Sequence, residues 1–251
     1  MTNNNLFYTL YGFIQGITEF LPISSSAHLN LIEIVFNYSE SRNYLYETSA
    51  HLASLLALLL YLSLHNHFRI NNVKSNIKFL VLATIPAIFL GIFLKIYGFN
   101  IVSLKLIGYT SIIGAIMLYI SDSTNIIKFK IRNKSIKFIV VGIFQCLAFL
   151  PGFSRAGSCI IAFRFLNEDR KYSSIYSLYM GIPIISLSFL SNILDFEKFI
   201  FDKNLIIIFI ITFVAAYFTV HTLINFINRV GFTPFVIYRI LLGIIILLYV
   251  Y

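Results

Sequence analysis

Charge is scarce in this chain. Lysine, arginine, aspartate and glutamate together make up 12% of its 251 residues, against a hydrophobic share of 59%. A soluble domain carries about 25% charged residues. Too few polar side chains remain to cover a water-facing surface, which excludes a soluble globular enzyme and makes lipid the main solvent. Cysteine is nearly missing. Cys146 and Cys159 both lie in apolar segments, which excludes a disulfide framework or a cysteine metal set and reads them as small buried residues. Met1 to Asn5 carries no basic segment, so insertion through the chain's own spans is expected in place of a cleaved signal peptide. Acids are the scarcer charge, 10 against 19 basic residues, for a net charge of +9. The basic residues cluster between apolar runs and form no groove-sized face, so no nucleic-acid partner is expected.

What is present is long apolar runs, at 6–36, 48–64, 77–99, 102–120, 137–166, 172–192, 205–228 and 235–251. Crossing about 30 Å of hydrocarbon takes roughly 17–25 residues in a helix. The runs 6–36 and 137–166 are too long for one span, and each is interrupted, by Pro22-Ile23-Ser24-Ser25-Ser26 and by Pro151-Gly152-Phe153-Ser154. Proline removes a backbone donor and clashes with the preceding turn, so a helix stops just before it. Irregular backbone at membrane depth survives only where protein or a watery cavity satisfies it. Both runs therefore predict re-entrant hairpins, or broken helices, around a cavity.

Loop charge gives an orientation. Lys128, Lys130, Arg132, Lys134 and Lys137 crowd 121–137, and Arg69, Lys74 and Lys78 fall in 65–78, two spans away. Both stretches are then cytoplasmic. Loop 195–204, with three acids and two lysines, falls outside. The expected fold is all-α: a single integral membrane domain over 1–251 with two broken-helix hairpins and about six full spans. Its halves, roughly 6–120 and 137–251, form an inverted-topology repeat, an architecture whose broken helices mark the binding site. Phe20-Leu21-Pro22 echoes Phe149-Leu150-Pro151, with Ser25 against Ser154 and Ala27 against Ala156.

Glu19 and His28 flank the first break. Ionisable groups in an apolar run are expensive to bury and point to function, although capping or pairing within the bundle would also explain them. Ser24, Ser25 and Ser26 put hydroxyls and free N–H groups at the start of a helix, where anions bind. Arg155 is the one fixed cation in either break, and its fork suits phosphate oxygens. It could equally neutralise Glu19. Gly152 and Gly157 let backbone approach a ligand closely. Glu47 and His51, one turn apart, read as support for the site. His65 and His67 read as solvated, His221 as a packed or hydrogen-bonded core residue, and Arg239 as an anchor snorkelling towards the interface.

The stretches Gln15-Gly16-Ile17-Thr18-Glu19-Phe20-Leu21-Pro22, Ser24-Ser25-Ser26-Ala27-His28 and Pro151-Gly152-Phe153-Ser154-Arg155 resemble the signatures of the undecaprenyl-diphosphate phosphatase family, also described as bacitracin resistance proteins. Lesser echoes are Ile85-Pro86-Ala87 and Pro234-Phe235-Val236-Ile237-Tyr238-Arg239. Departures are Ala156 for a usual Ser, Cys159 for a common Thr, Ala27 for a frequent Gly, and His51 where Gln is usual.

The resemblance implies an enzyme that cleaves undecaprenyl diphosphate to the monophosphate and inorganic phosphate, recycling the carrier of cell-wall synthesis and conferring bacitracin resistance. It implies a multi-pass protein of the bacterial inner membrane, its site open to the outer face, with a polyprenyl diphosphate and membrane lipids as partners, and it admits a homodimer. Glu19, His28, Ser25 and Arg155 are the expected catalytic set. Gln15, Ser24, Ser26, Ser154 and Gly157 are expected to bind substrate. His28 would activate water or Ser25, or itself take the phosphoryl group. Glu19 would orient His28 or, with Gln15, hold a divalent cation (Mg or Ca), and no cofactor is otherwise implied. A lipid flippase or transporter without hydrolysis is the rival expectation.

Overall fold

A computed structural model describes residues 2–36, 43–65, 70–98, 103–123, 128–194 and 202–250. Among them there is no strand. The helices are α1 (Thr2–Thr18), α2 (Ser25–Val35), α3 (Asn43–Leu64), α4 (Ile70–Tyr97), α5 (Leu104–Asp122), α6 (Lys134–Gln145), α7 (Arg155–Phe165), α8 (Arg170–Leu194), α9 (Lys203–Val230) and α10 (Thr233–Val250), with one 3-10 turn at Cys146–Phe149. Six of these, α3, α4, α5, α8, α9 and α10, are long and apolar enough to cross a membrane. Large apolar side chains such as Phe89, Phe218 and Leu248 stand exposed on them, as lipid-facing positions do.

The chain breaks where the sequence predicts, between α1 and α2 and between α6 and α7. Pro86 and Pro183, by contrast, lie inside α4 and α8, and Pro234 sits in the first turn of α10, where its missing N–H is no loss. The basic loops are shorter than expected. Lys74 and Lys78 fall within α4, and Lys134 and Lys137 open α6. His67, Arg69 and the acids Asp195 and Glu197 lie outside the described residues.

α1 lies along α9 and α6 along α4; α3 packs on α8 and α9, and α5 on α10. Two of these crossings are close because glycine faces backbone. A Cβ at Gly12 would stand 2.9 Å from the Ile208 carbonyl oxygen, and one at Gly142 would stand 2.9 Å from the Ala83 carbonyl carbon. Each break is pinned by a buried aromatic. Phe20 joins Leu58, Leu178 and Val220 in one apolar cluster. Phe153 joins Ile160, Leu223 and Phe232 in another, against which Leu21 from the first break also packs.

Candidate active site

α2 and α7 begin alike. Their N-caps are Ser24 (φ 71°) and Ser154 (φ 76°), two of the three non-glycine residues with positive φ among those described. Such a backbone costs of order 1–3 kcal/mol and persists only where the surroundings fix it, typically at functional sites. At Ser154 the Oγ accepts from Gly157 N at 3.1 Å, and the carbonyl accepts from Ser158 N and Oγ at 2.9 and 2.8 Å. At Ser24 the carbonyl faces His28 Nδ1 at 2.7 Å, and the hydroxyl makes no cap bond; it meets only Ser26 Oγ, at 3.2 Å. The equivalent serines are therefore Ser24 and Ser154. The second break is one residue longer than the first, and the sequence echo of Ser25 with Ser154 is one position out of register.

The breaks meet. Glu19 Oε1 accepts from Arg155 Nη2 at 2.8 Å, and Oε2 accepts from Ser25 Oγ and Gln15 Nε2, each at 3.0 Å. Ser154 Oγ donates across to the Leu21 carbonyl at 3.4 Å. A cavity of about 190 Å³ opens on this cluster, lined by Glu19, Ser24, Ser25, Ser26, Ser154 and Arg155, with His51 of α3 and Gln145 of α6 beside them. Two buried donors here, Arg155 Nη1 and Gln145 Nε2, have no partner among the described residues. Leaving a buried donor unmet costs about 1–3 kcal/mol. The cavity wall thus holds a hydroxyl and a guanidinium, each in hydrogen-bond contact with the one carboxylate.

Arg155 reaches Glu19 because α8 presents Gly181. A Cβ there would collide with Arg155 Nη1 and lie 2.8 Å from Cζ. The sequence gives no sign of this role. Gly157 spends its N–H on the Ser154 cap and is not among the residues that line the cavity.

His28 does not line the cavity either. Its ring stacks on Tyr238 with centroids 5.6 Å apart and planes 5° apart, and its Nε2 lies 2.5 Å from the Tyr238 hydroxyl. The Ser24 carbonyl can only accept, so Nδ1 carries a proton, and in the neutral ring Nε2 accepts from Tyr238. His51, expected to support the site, instead reaches it. Its Nδ1 lies 3.2 Å from Gln15 Nε2 and 3.8 Å from Glu19 Oε2, and its Nε2 lies 3.5 Å from Glu47 Oε1. His65 and His221 gather around Tyr61, at the other end of α3.

Arg239 corrects the sequence reading most sharply. It does not snorkel; it is fully buried, at 0% exposure. Nη1 donates to the Pro22 carbonyl at 3.2 Å, and Nη2 donates to the carbonyls of Gly152 and Phe153 at 3.2 and 2.9 Å. One guanidinium thus ties the two breaks together. It fits because Gly114 of α5 leaves the space: a Cβ there would lie 2.9 Å from Arg239 Cζ.

No group of three or more His, Cys, Asp or Glu among the described residues is placed to hold a metal. Gln15 Oε1 is buried without a partner among these residues, and Glu19 is already held by a guanidinium. Magnesium is commonly bound through one or two carboxylates and substrate phosphates, so these two residues fit a divalent cation only together with phosphate oxygens.

The fold defines an all-helical, multi-pass membrane protein with a polar cavity at two helix breaks. Comparison gives the family. Residues 8–245 match the model of the family described as bacitracin resistance protein BacA, and the chain belongs to that family. It is 35% identical to an undecaprenyl-diphosphatase of Pelagibacter ubique (strain HTCC1062), over 100% of both chains. It is 32% identical to an undecaprenyl-diphosphatase of Vesicomyosocius okutanii subsp. Calyptogena okutanii (strain HA), over 92% of this chain and 94% of that one.

Proposed function

We propose that this chain hydrolyses undecaprenyl diphosphate to undecaprenyl phosphate and inorganic phosphate, returning the lipid carrier to cell-wall synthesis and lowering sensitivity to bacitracin. The observation that carries the chemistry is the contact of Ser25, Glu19 and Arg155 at the mouth of a cavity with two unmet donors. Phosphoryl transfer asks for positioning and charge stabilisation more than for covalent complexity. Arg155, Gln145 and the amide end of α2 receive the diphosphate. Ser25 Oγ attacks the terminal phosphorus as its proton passes to Glu19. The bond to the bridging oxygen breaks, and its electron pair leaves with the lipid monophosphate. Glu19 then gives that proton up to solvent, water cleaves the phosphoserine with Glu19 again as base, and the Ser25 oxygen takes the proton back from Glu19.

In this reading His28 is a positioning residue. Through the Ser24 carbonyl it holds the strained N-cap that aims Ser25. The cavity is smaller than the roughly 300–1,000 Å³ that encloses a drug-sized ligand, so it takes a headgroup and leaves the tail outside. An apolar groove between α1 and α9, lined by Phe13, Ile17, Leu21, Val214, Phe218 and Phe226, suits the polyprenyl tail, and Leu21 joins it to the first break.

The inverted repeat belongs to the same proposal. It is supported by reciprocal packing, in which α1 lies on α9 as α6 lies on α4 while α3 meets α8 and α5 meets α10, and by the matching caps Ser24 and Ser154. Positive-inside charge on Lys128, Lys130 and Arg132 supports an inner-membrane orientation in which Glu47 and the cavity face outward. A homodimer is part of the reading, to be tested by mass in detergent. The deciding experiment is phosphate release by the purified protein in detergent, with and without a chelator. Release supports hydrolysis. A carrier flippase, which the paired breaks would also serve, releases none.

A further inference from the structure

We propose that Lys95, with Ser188 and Ser191, forms a second phosphate subsite at the mouth of the cavity, where a phosphate oxyanion pauses between Arg155 and bulk water. The traffic of phosphate through the mouth rests on the hydrolase reading, whereas binding there can be measured without it.

The cavity is set into the bundle. At a rise of about 1.5 Å per residue, Ser188 in its wall lies roughly 9 Å below the end of α8 at Leu194, and Ala87 roughly 15 Å below the end of α4 at Tyr97. Inorganic phosphate, with more than one negative charge at neutral pH, has to cross that depth between Arg155 and water.

The two flanks of α8 differ. Towards α3, Asn192 Nδ2 donates to Thr48 Oγ1 at 3.0 Å, which bridges that side next to the acid Glu47. Towards α4, Ser191 Oγ accepts from Lys95 Nζ at 3.2 Å. Ser188 and Ser191 lie one turn apart on a single face of α8, so hydroxyls run from the cavity wall to the ammonium. On α4, Ala87, Gly91 and Lys95 recur every four residues and share a face in the same way. Ala87 lines the cavity. Phe149, another lining residue, packs on Gly91, where a Cβ would stand 3.1 Å from its ring. The seam between α4 and α8 therefore joins the cavity to a fixed cation, while the α3 side meets an anion with a carboxylate. Charge of one sign at the mouth of a low-dielectric cleft concentrates the opposite ion there. Lysine suits passage better than retention, because it is a strongly hydrated point charge on a flexible stem, without the fork by which arginine grips phosphate. The plain alternative is a lysine that snorkels near a helix end. Phosphate binding would then be indifferent to Lys95.

The full chain in detergent is assayed for phosphate release from labelled lipid diphosphate, with inorganic phosphate added as inhibitor. Lys95→Gln keeps a partner for Ser191 and removes the charge. The inhibition constant for inorganic phosphate should rise roughly five- to tenfold, between the worth of an exposed ion pair and that of a charged hydrogen bond, and Lys95→Arg should restore it. Lys105→Gln, which removes a charge from the start of α5 at the same end of the bundle, should leave the constant unchanged. A rise for inorganic phosphate alone assigns the subsite to the released product; a parallel rise in KM adds the lipid headgroup. Ser191→Ala should give a smaller rise and carries the test should Lys95→Gln fail to fold, no rise then overturning the subsite. An unchanged constant in active Lys95→Gln overturns it, as does an equal rise in Lys105→Gln. A wild type that releases no phosphate overturns the hydrolase reading alone; calorimetric titration with inorganic phosphate then decides the subsite by the same comparison of Lys95→Gln with wild type.

Discussion

Gly181→Ala separates activity from stability. In the native chain α8 passes so close to Arg155 that a Cβ at 181 would meet Nη1 and stand 2.8 Å from Cζ and 3.1 Å from Nη2. The obstacle is the tip of a flexible side chain, so neither helix has to move. The guanidinium swings aside instead, and its 2.8 Å bond to Glu19 Oε1 is lost. A hydrogen bond to a charged group is worth about 1.5–3 kcal/mol net. Alanine in a helix interior regains about 1 kcal/mol over glycine, and Glu19 keeps its donors from Ser25 and Gln15. The melting temperature should therefore shift little. Activity should not be spared. Removing one preorganised donor from a developing negative charge costs on the order of 100- to 1,000-fold in kcat. Phosphate release and thermal melting, measured on the same detergent-purified sample, check both halves. Gly142→Ala is the contrast, because its Cβ meets the Ala83 backbone, which cannot swing away; there melting temperature and activity should fall together. Near-native turnover in Gly181→Ala, or a parallel loss of fold and activity, would refute the account of how Arg155 is placed.

Arg239→Met should leave the Pro22 and Phe153 carbonyls without their donor and Gly152 with only a long bond from Ser111, and at about 1–3 kcal/mol for each unsatisfied group the melting temperature should drop markedly, with Arg239→Lys recovering only part. Acid quenching during turnover should trap an acid-stable phosphoserine that Ser25→Ala abolishes; an acid-labile phosphohistidine would move the nucleophile to His28. Val214→Trp, at the wall of the apolar groove, should raise KM for the long-chain lipid and leave a short-chain soluble diphosphate unaffected. An equal effect on both substrates would remove the tail from that groove.

The breaks were legible because two independent rules agree there. Pro22 and Pro151 each precede serine or glycine able to cap a new helix, whereas Pro86 and Pro183 are followed by apolar residues and the helix runs on. Proline alone did not decide. Glu19, Ser25 and Arg155 were legible because each is a costly polar group in an apolar run. Arg239 and His51 were not, for a common reason. Snorkelling or burial of an arginine depends on what stands opposite, and here that is Gly114, more than a hundred residues earlier, together with carbonyls that only the breaks expose. His51 was legible only as support for the site. Its contact with Gln15 exists only because the end of α1 lies against the first turns of α3.

On the proposed inverted repeat, the matching caps carry different residues into one site. Ser24 and Ser154 hold the same left-handed conformation, and the residues after them, Ser25 and Arg155, each open a helix. At the same structural position one half offers a hydroxyl and the other a cation. Glu19 binds both, one oxygen to each. Two serines would leave the phosphate charge unmet, and two arginines would leave no nucleophile. On the duplicated reading, exchanging the pair as Ser25→Arg with Arg155→Ser tests whether the halves are interchangeable. Reach argues that they are not, since Gly181 makes room for a guanidinium only beside α7. The exchange should therefore abolish phosphate release even though every group is still present. Retained turnover in the swapped chain would mean that the symmetry of the backbone, and not the room left by one glycine, sets the chemistry.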